Sequence, residues 1–183
     1  STDLTIRGDV IDYQNLSGGF SDTVTTTGGV VMESQNTSFS SVLNYQNVNL
    51  ANTVSSLRVG KTTNASNVSI KSPISISGPI SIYGADVVTD ADVTISGGGA
   101  VFQASDVLLF GSSGTNVSIA TGSSSITLKA DWIAFDGSET GPGSGKTTLS
   151  LTGVLKIEPY NANFRPEFLG GSDGAVGSEL NWN

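Results

Sequence analysis

Apolar and polar residues alternate along this chain in short runs. Leu4-Thr5-Ile6, Val68-Ser69-Ile70, Ile74-Ser75-Ile76, Ile80-Ser81-Ile82, Val93-Thr94-Ile95, Val117-Ser118-Ile119, Ile126-Thr127-Leu128, Leu149-Ser150-Leu151 and Leu155-Lys156-Ile157 each set two apolar side chains on one face and a polar one on the other. A period of two is the signature of a strand with one buried face. No segment carries an apolar stripe at i, i+3, i+4 and i+7, so the pattern predicts an all-β chain. The core it predicts runs through Ile70, Ile76, Ile82, Ile95, Ile119, Leu128, Leu151 and Ile157.

The spacing of the runs selects an architecture. "PISISGPISIYG" (73–84) states one phrase twice, and the steps from Ile70 to Ile76 to Ile82 and from Leu151 to Ile157 are six residues. Very short strands with short corners suit a parallel β-helix, or β-solenoid, in which each strand pairs with its equivalent one coil away. The alternative is a β-sandwich repeat, whose strands are longer and spaced by about 8–12 residues. Pro73 and Pro79 each open a strand, and Gly78 and Gly84 close one. The doublet is then two sides of one coil, or a hairpin with very short arms. The six-residue register drifts after about two steps, which favours irregular, right-handed coils over left-handed hexapeptide ones. With about 18–25 residues per coil and about 4.8 Å between strands, the expectation is roughly eight coils and a rod of about 40 Å.

Composition narrows the chemistry. The chain has 183 residues, no Cys and no His, which removes disulfides, thiolate or imidazole metal sites, the Ser-His-Asp triad and Cys-His pairs. Its net charge of −8, with only eight Lys and Arg, argues against a nucleic-acid partner. No apolar run is long enough to insert in a membrane as a helix. Only 13% of residues are charged, yet Val, Ile and Thr are plentiful, so order is expected rather than disorder. The start at Ser1-Thr2, without Met, reads as a module excised from a longer chain, with residues 1–183 forming one elongated unit.

Several stretches invite sharper readings. "GPGSGKTT" (141–148) imitates a phosphate-binding loop but has Thr140 where the motif needs Gly, and an alternating strand follows where the motif needs a helix. Asp86, Asp90 and Asp92 are weak calcium candidates, lacking both known loop patterns for that ion and reading first as solvated turn acids. Asp106, Asp131, Asp136, Glu139 and Glu158 are scattered singly, unlike the paired carboxylates of a glycoside-cleaving site. Asn64, Asn67 and the asparagines of 44–52 suit coil corners, where the side chain satisfies backbone groups or stacks in ladders. Thr23-Val24-Thr25-Thr26-Thr27 resembles an ice-binding threonine array, but the later strands do not continue it. The sequence therefore predicts no catalytic residue and no cofactor.

"SSLRVGKTTNASNVSIKSPISISGPISIYGADVVTDADVTI" (55–95), "SSITLKADWIAFDG" (124–137) and "GVLKIEPYNANF" (153–164) together resemble repeat units of giant secreted bacterial surface adhesins. The likeness is to the very long, SprB-like gliding adhesins of Bacteroidota, and more loosely to filamentous-haemagglutinin-type β-helices; it covers chiefly residues 55–164. The resemblance implies an extracellular, cell-surface, non-enzymatic protein of β-rich repeats. Its partners would be neighbouring repeats of the same chain and surfaces or polysaccharides, and its roles adhesion or gliding. Two other classes of function remain open: a polysaccharide-active β-helix enzyme and a self-assembling extracellular filament subunit.

Overall fold

A computed structural model describes residues 2–11, 22–112, 115–135 and 146–164. Among these the chain forms eighteen strands and no α-helix, and every strand pair is parallel. The sandwich alternative is thereby excluded, because a sandwich is built from antiparallel hairpins and Greek keys.

The strands sort into three faces visited in rotation. The first face is a seven-stranded sheet of β1 (Leu4–Arg7), β3 (Gly29–Glu33), β6 (Ser56–Val59), β9 (Ile80–Gly84), β12 (Ala100–Ala104), β15 (Ile126–Lys129) and β18 (Leu155–Glu158). The second holds β4 (Leu43–Tyr45), β7 (Val68–Ile70), β10 (Val87–Thr89), β13 (Val107–Phe110) and β16 (Trp132–Ala134). The third holds β8 (Ile74–Ile76), β11 (Val93–Ile95), β14 (Val117–Gly122) and β17 (Thr147–Leu151), with β5 (Val48–Leu50) lying beside β8 and pairing with β2 (Asp22–Val24). This is a β-solenoid of five complete three-strand turns, β3 through β17, with β1 and β2 before them and β18 after.

The coils are fewer and larger than the spacing of runs predicts. Successive levels of the first face are separated by between 20 residues, from Ile80 to Ala100, and 29, from Ile126 to Leu155. Seven strands in one sheet span about 29 Å at about 4.8 Å per step, shorter than the expected 40 Å. The six-residue echo measures one side of a coil, and the corners between sides take up the rest. The doublet itself is not a hairpin: β8 lies on the third face and β9 on the first, turning at Ser77-Gly78-Pro79. Gly78 is required there, since a Cβ on it would sit 1.6 Å from the backbone oxygen of Ser55, one level away.

Inward side chains stack in columns. On the first face one column is Leu4, Val30, Leu57, Ile80, Ala100, Ile126, Leu155, and the next is Ile6, Met32, Val59, Ile82, Phe102, Leu128, Ile157. Of the core residues read from the sequence, Ile70, Ile76, Ile82, Ile95, Ile119 and Leu128 are buried. Leu151 and Ile157, on the last described levels, are half-buried against the same core. Each fully buried aliphatic side chain contributes about 1.5–3 kcal/mol. Phe102, Phe110 and Phe135 pack together in the later coils, the first two edge to face at 5.5 Å and the last two stacked at 5.7 Å.

Candidate functional site

The chemistry of this fold lies where the strands turn and on the outward side of the longest sheet. Between inward columns the first face presents two outward rows. One runs Thr5, Val31, Arg58, Ser81, Val101, Thr127, Lys156, and the other Arg7, Glu33, then, past Gly60, Tyr83, Gln103, Lys129, Glu158. Four of the chain's eight basic residues stand in these rows, against two of its sixteen acids. An otherwise acidic molecule thus carries one face of positive bias.

At one end of that face Glu33 sits under two guanidinium groups. Arg7 Nε donates to Glu33 Oε1 at 2.8 Å, and Arg58 Nη2 donates to Oε2 at 2.7 Å. The hydrogen bonds from Arg7 and then Arg58 hold the Glu33 carboxyl below the ordinary value of 4.5, outweighing the opposite effect of burial. Arg58 Nη1 also donates to the Gly60 carbonyl at 3.3 Å. Gly60 has φ of +79°, and a Cβ on it would lie 2.4 Å from the Tyr83 backbone oxygen. At the other end Lys156 pairs with Glu158 at 2.9 Å, and Lys129 Nζ lies 5.8 Å from the centre of the Tyr160 ring. Tyr83 and Gln103 lie half-buried between the two clusters. Three of the four basic side chains of this face thus already meet a carboxylate, Arg7 and Arg58 at Glu33 and Lys156 at Glu158.

The corners use their polar side chains differently. Asp90 Oδ1 accepts from Ser112 N–H and Asp92 Oδ1 from Ser118 N–H, both at 2.7 Å and one level on. Asp86 and Asn67 exchange two bonds: Asn67 Nδ2 donates to Asp86 Oδ2 at 2.8 Å, and Asp86 N–H donates to Asn67 Oδ1 at 3.2 Å. The calcium candidates are therefore not brought together. Asp86 stands before β10, Asp90 and Asp92 after it, and no group of three acidic side chains able to hold a metal occurs among the described residues. Asp3 and Asp131 make the same kind of bond, to Gly29 N–H and Asn161 N–H, both at 2.8 Å.

Asn64 is the most heavily used corner residue. It is 4% exposed; its Oδ1 accepts from Phe39 N–H and Ser66 N–H, and its Nδ2 donates to the carbonyls of Ser66 and Tyr83, both at 3.0 Å. One amide thus ties three levels together, by bridging backbone groups rather than by joining an amide ladder. Thr23 pairs in register with Asn49, so the threonine array does not extend to the neighbouring coil. Of the scattered carboxylates, Asp106 and Asp131 precede β13 and β16, and Glu158 is on the outer face. Asp136, Glu139 and most of the 141–148 stretch lie outside the described residues.

Sequence reasoning missed the outward rows. Their signal was present as the polar member of each alternation, Arg58, Thr127 or Lys156, but which of these are neighbours depends on pairing across coils. No protein-family model, curated protein or solved structure matches the chain.

Proposed function

We propose that this chain is a non-enzymatic structural and adhesive module of a long bacterial surface adhesin, working outside the cell. The observation that carries the reading is the continuous stack. Each coil rests on the next through backbone ladders, apolar columns and corner side chains whose partners lie one level away. A stack of this kind is a spacer whose length grows with the number of coils. The repeat phrases of residues 55–164 support the same reading, as does the use of Asp90, Asp92 and Asp131 as separate bonds between coils. The contact surface is the outer side of the seven-stranded sheet, whose Arg7, Arg58, Lys129 and Lys156 suit an acidic polysaccharide.

The test begins with the native protein released from the surface of its source cells and detected with an antibody raised against residues 55–164. A mass far above 18.7 kDa, together with labelling of intact cells, supports the module. A cytoplasmic protein of about that mass overturns it. Binding to an immobilised uronic-acid polymer, weakened by added salt and lost in Lys129→Glu/Lys156→Glu, supports the contact face. Release of shortened or unsaturated sugars from that polymer would instead identify an enzyme.

A further inference from the structure

The two outer edges of the seven-stranded sheet fit each other. Among the described residues β1 has a partner strand only on the β3 side, and β18 only on the β15 side. Natural sheets blunt such edges with short strands, outward charges, proline, bulges or inward charges. Both strands are four residues long and carry outward charges, but neither has a proline, a bulge or an inward charge: Leu-Thr-Ile-Arg and Leu-Lys-Ile-Glu both point aliphatic side chains inward and pair without a register shift. Among the described residues the two apolar columns of this sheet stop at the same places. Their ten interior members, Val30 through Ile126 and Met32 through Leu128, are at most 2% exposed, whereas Leu4 is 38% exposed and Ile6, Leu155 and Ile157 are half-buried.

We infer that β18 of one copy stacks on β1 of a second copy, head to tail, so that the solenoid continues across the junction. Extending the observed register sets Leu155 on Leu4 and Ile157 on Ile6, closing both columns. It also sets Glu158 against Arg7 of the second copy, whose other side already faces Glu33. The outward row then alternates Lys129, Glu158, Arg7, Glu33, opposite charges about 4.8 Å apart. Two copies of β1, or two of β18, can keep their inward faces together only by pairing antiparallel, which breaks the parallel register that every described strand pair keeps. The contact is heterologous and leaves a free edge at each end, so it generates an open series rather than a closed dimer. It stands on the two edges alone and holds whether or not the rod serves adhesion.

Sedimentation velocity on the purified full chain, from micromolar to millimolar concentration, tests this. The expected result is a rising series of species at multiples of 18.7 kDa. Leu4→Lys, at an exposed position, should keep the parent melting curve while weakening association by about tenfold or more. Glu158→Arg should weaken it at low salt and regain part of it at high salt. A monomer at every concentration, a series that stops at the dimer, or association indifferent to both substitutions would overturn the inference.

Discussion

Replacing Asn64 by alanine tests whether corner side chains, and not only the apolar columns, hold the coils in register. The substitution removes four hydrogen bonds. The two to Ser66 lie within one corner, and Ser66 is only half-buried, so water replaces them at little cost. The other two cross levels: Phe39 N–H from one side at 3.2 Å and the Tyr83 carbonyl from the other at 3.0 Å. An orphaned buried backbone group costs about 1–3 kcal/mol, so the loss should be about 3 kcal/mol. That is a large part of the roughly 5–15 kcal/mol by which such a domain is stable. With a urea dependence of about 2 kcal/mol per molar, the unfolding midpoint should fall by about 1.5 M. Asn64→Asp sharpens the test, because it keeps the acceptor but turns the Nδ2 donor into an oxygen facing two carbonyls. It should be at least as damaging as alanine at neutral pH. The damage should ease as pH falls and the carboxyl takes up a proton, which restores a donor. A midpoint shift below about 0.25 M for Asn64→Ala, the size of an ordinary surface change, would show that the amide is dispensable.

Glu33 makes the stack acid-sensitive: its carboxyl is held below 4.5 in the folded protein, so its contribution is complete above the unfolded value and lost as pH falls through the folded one. Thermal melts should decline in the acid range, and Glu33→Gln should be less stable at neutral pH but flatter below pH 4.5. Thr89 is fully buried with its hydroxyl unpartnered among the described residues, between Ile70 and Phe110. Thr89→Val should raise stability by about 1 kcal/mol, read from urea midpoints. Gly78→Ala must displace the Ser55 backbone and should cost about 2–3 kcal/mol in the same assay.

The architecture was legible in the sequence because its cause is local. A strand such as Ile74-Ser75-Ile76 announces its buried face by alternation, and Pro79 and Gly78 mark the corner beside it. Ile76 and Ile82 could be assigned to the core because period two fixes which side chains share a face, whatever lies on the next level. The number of coils was not legible. It depends on corner lengths, and the loops that make one step 20 residues and another 29 leave no periodic trace.

The outward surface was hidden for a related reason. Tyr83, Gln103 and Lys129 are neighbours only because β9, β12 and β15 pair in one register, and their separations of 20 and 26 residues share no period. The acids misled in the opposite direction. Asp86, Asp90 and Asp92 are close in sequence, as metal ligands often are, but a three-residue strand separates the first from the others and each turns to a different partner. In a solenoid, nearness along the chain places residues around one coil, whereas a surface is built from residues about a coil apart. Reading function from such a sequence therefore requires aligning the coils first and then reading across them. Read this way, four of the eight basic residues of an acidic chain fall on a single face.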